Sequence, residues 1–536
     1  MATRKKTKRP SKATQKAGRE KESAKSPAGK ETAGKPRADP FPIVGVGASA
    51  GGLEAFSTLL RAISADAGIA VVLVQHMDPT HESMLSRLLE KATPMPVKQV
   101  IDGMVVRKNH VYVIPPNRSM SIRNRLLKLG KRPKGELRHT PIDHFLRSLG
   151  QDQGGNAIGV ILSGIGSDGT LGLKAIKAEG GVTFAQDEKS ARYAGMPLSA
   201  EASGYVDFVA TPEGIAKQLT RLAKAPHTAL SRTVAVDQLT NGAGIPLRRI
   251  FDLLRGISGV DFSYYKQATI SRRLRRRMVL RQCENRLQYS KFIEAHPAEL
   301  EALFQDFLIH VTGFFREPEA FQDLRKIVFP RITEALERRE PIRIWVAGCS
   351  SGEEVYSIAI TLLDYLGDRA SRVRIQIFGT DISAPDIEKA RIGIYPESSL
   401  AEIPTGLRRY FTKTEGGYQI SKTVREMCVF ARHDVGKDPP FSKLDLISCR
   451  NVLIYFGPVL QKRVISVFHY ALKQHGFLLL GKSESISGYS NLFAPTAHKV
   501  LFSKKMAAVP PVLDIAGLEY EKAPQPRIPG EELPVP

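Results

Sequence analysis

The sequence contains little cysteine and almost no tryptophan, with four cysteines and one tryptophan among 536 residues. No two cysteines have C-x-x-C spacing, so the sequence supports neither a disulfide framework nor a zinc finger, and we expect no metal site. No apolar run approaches the roughly 20 residues of a transmembrane helix, and the N-terminus lacks the apolar segment of a signal peptide. These absences predict a soluble, cytoplasmic protein that does not insert into membranes.

Positive charge, in contrast, is abundant, and the net charge of +24 is unevenly distributed. Residues 1–40 contain 13 lysines and arginines, four acidic residues and no aromatic residue. We expect a disordered tail that either adheres to an acidic surface or is simply solvated. A second basic cluster, SRRLRRRM, begins at Ser271. If this cluster is helical, Leu274 and Met278 face a core and leave an exposed stripe that suits an acidic partner. The arginines of this stripe include Arg272, Arg273 and Arg276.

The rest of the chain divides by pattern into alternating and helical segments. Two segments alternate short apolar strands with helices, which predicts mostly parallel sheets with helices on both faces. The predicted fold class is therefore α/β, with two doubly wound α/β domains separated by a small all-α subdomain. The predicted boundaries are 1–40 for the basic tail, 41–224 for the first α/β domain, 225–244 for a linker, 245–335 for the all-α subdomain, 336–505 for the second α/β domain and 506–536 for a disordered tail.

The first α/β segment carries polar residues at three strand ends, where doubly wound sheets place their sites. Ser49 lies in GVGASAGG, which fits both the G-x-S-x-G nucleophile pattern and the G-x-G-x-x-G/A dinucleotide pattern. A dinucleotide site needs an acidic residue at the end of the next strand, but that strand ends in His76. Asp168 follows a third strand. Each residue alone would more often be a helix cap or a strand-end residue, but together they indicate a serine nucleophile, its base and an orienting acid.

Four segments, GVGASAGG, VVLVQHMDP, LSGIGSDGTLGL and AQDEKSARYAGMP, resemble the signatures of the CheB-type chemotaxis protein-glutamate methylesterase domain over about residues 41–224. The resemblance implies hydrolysis of glutamyl methyl esters, and deamidation of glutamines, on chemoreceptor helices. It also implies that Ser49 is the nucleophile, His76 the base and Asp168 its orienter, with the Ile165 N–H as an oxyanion donor. These enzymes usually carry an N-terminal receiver domain, whereas a basic tail precedes residue 41 here, so we do not expect control by an attached receiver.

The second α/β segment shows a different pattern of polar strand ends. The turn AGCSSGEE places two acidic residues at a helix start, which would repel a phosphate but suits the hydroxyls and positive charge of S-adenosylmethionine. Asp381 ends the next strand, where an acid grips ribose hydroxyls. Asp434 and Asn451 end later strands and suit an adenine amino group and the region of the transferable methyl. Arg316, between aromatics and an acid, suits either a ligand carboxylate or a surface salt bridge. Each acid singly also fits a helix cap.

Five segments, YKQATISRRLRRRM, FFRE, GCSSGEEVYSIA, GTDIS and CRNVLIYF, resemble the CheR-type chemotaxis receptor methyltransferase over about residues 245–505. The resemblance implies an inserted small β subdomain, and a basic helix whose Arg272, Arg273 and Arg276 dock on acidic receptor helices. It also implies S-adenosylmethionine binding. The matching positions are Thr312, Arg316, Glu354, Asp381, Asn451 and Val452, with His310 and Phe468 as weaker matches.

The sequence therefore predicts a fused enzyme that methylates receptor glutamates from S-adenosylmethionine and hydrolyses the resulting esters. The predicted partners are chemoreceptor-like proteins with acidic helices, and response-regulator or kinase partners stay open. One alternative is a signalling scaffold with one or both sites silent, against which the retained triad and methyl-donor positions argue. A nucleic-acid-binding methyltransferase rests on charge alone, because no base-stacking aromatics lie among the arginines and Trp345 falls in a predicted core strand.

Overall fold

The computed structural model describes residues 41–76, 85–131, 140–224, 244–308, 312–334, 340–415, 417–496 and 500–505. The predicted tails, 1–40 and 506–536, and residues 225–243 of the predicted linker lie outside these ranges. We call residues 41–224 the first half, residues 244–334 the helical segment and residues 340–505 the second half. These three parts belong to one unit, Phe41–Pro536.

The first half alternates strands and helices in the described residues. Its strands, β1 to β10, are Ile43–Ala48, Ala70–Gln75, Val97–Gln99, Met104–Val105, His110–Val113, Arg118–Arg123, Leu126–Lys131, Ala157–Ile161, Val182–Gln186 and Phe208–Ala210. Its helices are Gly52–Arg61, Leu85–Glu90, Pro141–Gln153, Thr170–Ala178, Gly195–Ala202 and Pro212–Lys224.

Seven of these strands form a sheet in the order β10-β9-β8-β1-β2-β5-β3. All six neighbouring pairs are parallel, and β1 is buried along its whole length, as expected for a sheet with both faces covered. Phe56 and Leu219 belong to the core on one face, whereas Phe145 and Leu173 belong to the core on the other. The predicted doubly wound sheet is confirmed, and β1, β2 and β8, whose ends precede the three predicted site residues, are neighbours.

A second, three-stranded antiparallel sheet in the first half was not predicted. Its order is β4-β7-β6, and β6 and β7 form a hairpin. In the β6 sequence RSMSIR the buried Met120 and Ile122 alternate with half-buried serines, and an exposed arginine stands at each end. The charge of this segment hides the period of two that would have indicated a half-buried strand.

The helical segment contains no named strand within residues 244–308 and 312–334, as predicted. Local signals start several of its helices: the Asn285 side chain accepts a hydrogen bond from the Gln288 N–H at 2.9 Å, and proline opens two helices. The helices are Gly244–Ser258, Gln267–Leu280, Arg286–Ala295, Pro297–Phe307, Pro318–Asp323 and Phe329–Glu334.

Strands β11 to β20 of the second half are Ile342–Ala347, Ile375–Asp381, Ile394–Tyr395, Phe411–Thr414, Gly417–Ile420, Cys428–Arg432, Leu444–Cys449, Leu472–Leu480, Phe493–Pro495 and Leu501–Lys504. Seven of these strands form another sheet, in the order β16-β12-β11-β17-β18-β20-β19. Its only antiparallel pairs join β18 to β20 and β19 to β20. The predicted inserted subdomain is the antiparallel sheet β13-β15-β14, and Trp345 is fully buried, as predicted. The helices of the second half are Glu353–Leu366, Ala384–Ile392, Lys422–Glu426 and Pro458–Ala471.

The arginine helix, Gln267–Leu280, contradicts the prediction of an exposed cationic stripe. Arg273 and Arg276 are only 3% and 1% exposed. The reason is that the helix packs against the first half, where Leu280 joins the hydrophobic core of that half. Guanidinium groups that would have faced solvent are therefore buried between the two parts of the chain.

The buried arginines bind carbonyls and carboxylates of the first half. Arg276 forms ion pairs with Asp207 of the first half and Asp306 of the helical segment, and its Nε donates to the carbonyl of Gly181 at 2.9 Å. Arg272, which is partly exposed, pairs with Glu179 of the first half at 3.0 Å. Charge that the sequence assigned to an external partner is thus neutralised within the chain.

Among the described residues, no helix combines the length and apolar character needed to cross a membrane.

Candidate active sites

The first site is built on the turn that follows β1. Gly51, at the helix start, has φ of 75°, a left-handed conformation that glycine adopts without strain. The turn is fixed by Ser163, whose hydroxyl donates to the Ala50 carbonyl at 2.8 Å. The Ser49 N–H donates to the Ser163 carbonyl at 3.0 Å. The backbone around Ser49 is therefore held from the adjacent strand end, which leaves the hydroxyl to point into an open cleft.

The three predicted residues lie in line within hydrogen-bonding distance. His76 Nδ1 is 3.3 Å from Ser49 Oγ, and His76 Nε2 is 2.8 Å from Asp168 Oδ2. Because a carboxylate only accepts, Nε2 carries the proton and Nδ1 is left to accept from the serine. In the chymotrypsin-type triad Nε2 faces the serine and Nδ1 faces the aspartate, whereas here Nδ1 faces Ser49 and Nε2 faces Asp168. In either arrangement the histidine can act as the base and the aspartate can orient it.

Asp168 is held by the start of a neighbouring helix. Its two carboxylate oxygens accept hydrogen bonds from the N–H groups of Ile142 and Asp143, at 3.0 and 2.9 Å. In return, Asp143 accepts from the N–H groups of Gly169 and Gly172 at the start of the helix that follows Asp168. Each helix start is thus capped by an acid from the other. Asp143 was missed at the sequence level, because its partner lies 25 residues away.

This reciprocal arrangement predicts a pH dependence of stability. Burial, together with the negative charge of Asp168, raises the pKa of Asp143 from 3.8 to about 7. Between these values the unfolded chain has lost a proton that the folded chain keeps, so stability falls as pH rises. We expect Asp143→Asn, which mimics the neutral acid, to gain stability relative to the parent by on the order of 1 kcal/mol between pH 5 and 8. Thermal unfolding across this range measures the difference, and a pH-independent difference would contradict the prediction.

The cleft around Ser49 and His76 also contains residues that the sequence analysis missed. Arg61 and Arg192 line it together with the serine and histidine, and they add positive charge to its rim. Gly164, in the loop after β8, approaches closely: a Cβ there would lie 3.0 Å from the Ser49 Cβ and 2.2 Å from the Met196 sulfur. Glycine at this position therefore lets the loop that contains Ile165 pass directly beside the serine.

The second site is a pocket at the carboxyl ends of β11, β12 and β17. Tyr265, Phe307 and Leu308 of the helical segment cover it, so two parts of the chain enclose it. Seven of the predicted cofactor residues line this pocket: Thr312, Arg316, Glu354, Asp381, Asp434, Asn451 and Val452.

Of the two remaining predicted cofactor residues, one lies outside the described part of the chain and the other lies in the core. His310 lies outside the described residues. Phe468 does not line the pocket; it is fully buried and packs edge-to-face on Trp345, with ring centroids 5.5 Å apart. Its position after the CRNVLIYF segment suggested proximity, but the helix Pro458–Ala471 turns this side chain into the core.

The backbone around the second pocket is unusual in having non-glycine residues with positive φ. Ser350 and Asn451, which line the pocket, have φ of 47° and 61°, and Phe315 and Glu317 on either side of Arg316 have 49° and 59°. Such conformations cost about 1–3 kcal/mol each and persist where the surroundings enforce them, often at functional sites. Asp381 helps to hold Ser350 in this conformation, because its carboxylate accepts a hydrogen bond from the Ser350 N–H at 2.8 Å.

Arg450 connects the parts of the pocket wall and was not predicted. It is buried and donates to Glu354 at 3.2 Å, to Glu317 at 3.0 Å and to the carbonyl of Arg316 at 2.6 Å. A single guanidinium thus fixes Glu354 relative to the segment that carries Arg316. An arginine directly after the apolar strand β17 was the available signal in the sequence.

Glu484 performs a similar task for the loop after β17 and was also missed. It accepts from the N–H groups of Asn451 and Val452 at 2.8 and 2.9 Å, and from Gly481 at 2.7 Å. Burial raises the pKa of Glu484, against the lowering effect of these backbone hydrogen bonds. The loop that carries two predicted cofactor residues is therefore held by one carboxyl group.

The residues of the pocket fit S-adenosylmethionine. The carboxyl groups of Glu354, Asp381 and Asp434 suit ribose hydroxyls, amino groups and a positive sulfonium, whereas Val435 and Phe456 offer apolar contact to an adenine ring. The charge of Arg450 is already paired with two glutamates, so it does not turn the pocket into a phosphate site.

Comparison with known proteins gives family matches for most of the described chain. Residues 44–219 match the family model of the CheB methylesterase. Residues 246–308 match the all-alpha domain of the CheR methyltransferase, and residues 310–501 match its SAM binding domain.

Individual relatives agree with these matches. An uncharacterised 104.1 kDa protein of Rhodobacter capsulatus is 37% identical over 458 residues, which cover 81% of this chain and 48% of that protein. The chain thus spans about half the length of that relative. A chemotaxis protein methyltransferase of Borreliella burgdorferi is 34% identical over 263 residues, covering 47% of this chain and 93% of that protein. The crystal structure of the Thermotoga maritima CheB methylesterase catalytic domain is 28% identical and covers 34% of this chain and 100% of that chain, with a TM-score of 0.32.

Proposed function

Because this chain belongs to the CheB methylesterase and CheR methyltransferase families as a fusion of the two, we propose that it both forms and hydrolyses methyl esters of glutamates on chemoreceptor-like proteins. The first half would remove the methyl group and the second half would add it. The single observation that carries the esterase part is the alignment of Ser49, His76 and Asp168.

The geometry of the triad supports the proposed ester hydrolysis. Ser49 Oγ attacks the ester carbonyl while His76 Nδ1 takes its proton, and Asp168 keeps the ring oriented and stabilises its positive charge. The Ile165 N–H is the proposed donor to the oxyanion. His76 then returns the proton to the departing methanol, and water releases the acid by the same steps in reverse. A glutamine side chain would react likewise, with ammonia as the leaving group.

The proposed methyl transfer needs little from the protein beyond placement. A substrate carboxylate is already ionised and needs no general base, and S-adenosylmethionine, when bound, supplies an activated methyl on a good leaving group. Asp381, Glu354 and Asp434 would hold the methyl donor through its hydroxyl and amino groups, and Arg316 would bind a carboxylate. Tyr265 and Phe307 would exclude water from above the pocket. Alignment of the two reactants is then the main contribution.

A variant at Asp381 tests the second pocket. We expect Asp381→Asn to weaken S-adenosylmethionine binding by about 100-fold, because it removes the charge that accepts ribose hydrogen bonds and disturbs the Ser350 turn. Titration calorimetry measures the dissociation constant. Asp445→Asn is the matched control, since Asp445 is a buried acid of the same sheet that lies outside the pocket and accepts from the Arg343 N–H at 2.8 Å. Equal affinity in parent and Asp381→Asn would reject this ribose-binding role.

The whole proposal is tested on receptor cytoplasmic fragments with labelled S-adenosylmethionine. We expect label to appear on glutamates and to leave as methanol. Absence of both reactions, with the protein folded, would favour the scaffold alternative.

Receptor docking by Arg272, Arg273 and Arg276 stays a prediction. In the structure these guanidinium groups bind the first half.

A further inference from the structure

The first half is called the methylesterase half below, and the helical segment together with the second half is called the methyltransferase half. One helix of the methylesterase half, Thr170–Ala178, lies between the two sites. It begins two residues after Asp168, and Asp143 accepts from the N–H groups of its first turn. The C-terminal end of this helix is held by the methyltransferase half, because Arg273 donates to the carbonyl oxygens of Lys177 and Ala178. Carbonyls at a helix C-terminus lack partners within the helix, so a guanidinium is a suitable cap.

Lys174 extends from the middle of this helix to the wall of the methyl-donor pocket. Its Nζ donates to the carbonyl of Thr312 at 3.1 Å, and Thr312 lines that pocket. The side chain is 7% exposed, and the ammonium lies 5.3 Å from the ring centroid of Tyr205. A buried ammonium needs partners, and the backbone carbonyl that accepts from it here belongs to the helical segment.

The charges around Lys174 come largely from the methyltransferase half. Burial lowers the pKa of Lys174, but Tyr205, Glu353 and Asp386 raise it, and the net pKa lies above the ordinary value. Glu353 begins the helix that also carries Glu354 of the pocket. Lys174 therefore carries its charge at neutral pH, near Glu353 and Asp386 of the second half.

We propose that Lys174 of the methylesterase half is a positioning residue for the methyl-donor pocket of the methyltransferase half. It fixes the backbone at Thr312 and, through it, the segment that presents Arg316. The esterase half is then a structural part of the transferase site. This inference rests on the proposed binding of S-adenosylmethionine to that pocket.

The test is Lys174→Met in the full chain. We expect the dissociation constant for S-adenosylmethionine to rise about tenfold, as for the loss of a hydrogen bond from a charged donor. The kcat at saturating S-adenosylmethionine should stay within about twofold, because Lys174 does not touch the reacting groups. Lys174→Arg keeps the charge and the donors and should restore most of the affinity.

Arg272→Met is the matched control, because it removes an interface ion pair with Glu179 without touching the pocket wall. Its affinity for S-adenosylmethionine should equal that of the parent. An unchanged affinity in Lys174→Met, or an equal loss in Arg272→Met, would overturn the positioning role. If Lys174→Met does not fold, Lys174→Gln, which keeps a donor without charge, should bind more weakly than Lys174→Arg, and equal binding of these two would reject the role. Failure of the parent to bind would instead overturn the proposed transferase function and this inference with it.

Discussion

Replacing Ser49 with alanine is expected to slow release of methanol from methylated receptor fragments by at least about 10⁴-fold. In the proposed mechanism this hydroxyl forms the covalent bond with the acyl group, and it is the group that His76 contacts through Nδ1 while Nε2 contacts Asp168. Methanol released per unit time from fragments prepared with labelled methyl esters measures the effect.

Two controls make this result specific. Ser57→Ala changes a serine of the same cleft whose hydroxyl donates to the Leu53 carbonyl at 2.7 Å, and it should keep hydrolysis within about twofold of the parent. Methyl transfer by Ser49→Ala should equal that of the parent, because the second pocket shares no lining residue with the first. If Ser49→Ala hydrolysed the ester at the parent rate, Ser49 would not be the nucleophile.

Replacing Arg276 with methionine is expected to cost about 3–5 kcal/mol of unfolding free energy. The Arg276 side chain is fully buried between Asp207 and Asp306, whose side chains are 4% and 6% exposed. Methionine fills much of the volume but leaves two buried carboxylates and the Gly181 carbonyl without this donor. Urea unfolding followed by fluorescence and by limited proteolysis measures the loss.

The loss should depend on pH in a defined direction. Burial raises the pKa of Asp207, but the charge of Arg276 outweighs it and holds the pKa below the ordinary value. An acid with a lowered folded pKa contributes stability above its unfolded pKa, near 4, and loses it as pH falls. The penalty of Arg276→Met should therefore be larger at pH 7.5 than at pH 4.

The matched control for Arg276 is Arg272→Met, whose ion pair with Glu179 is more than a third exposed on both sides. It should cost less than about 1 kcal/mol. In a second comparison, the double variant Arg276→Met with Asp207→Asn should recover part of the stability, because one buried charge is removed. If Arg276→Met and Arg272→Met lowered the free energy of unfolding equally, the burial of Arg276 between Asp207 and Asp306 would not be what makes it important for stability.

The sequence by itself determined both sheets and the residues at their carboxyl edges. Apolar strands of four to seven residues followed by small-residue turns specify parallel strands and helices, and the carboxyl ends of neighbouring parallel strands meet. For this reason Ser49, His76 and Asp168 could be expected together although they span more than a hundred positions, and seven predicted residues converge on the second pocket. The hairpin β6–β7 was not predicted, because charged side chains obscured the period of two of its apolar residues.

Only the tertiary structure decided what the residues between these edges do. Arg276 and Gly181 are 95 positions apart, and Lys174 and Thr312 are 138 positions apart; neither contact is specified by a local period or a strand end. The pattern placed the arginines on one side of a helix. It did not show whether that side faces solvent or another domain, because both can accept hydrogen bonds from a guanidinium group. The packing of the methylesterase half against the helical segment supplied carbonyls and carboxylates at the right positions. That packing buried part of the predicted docking stripe as a link between the first half and the helical segment.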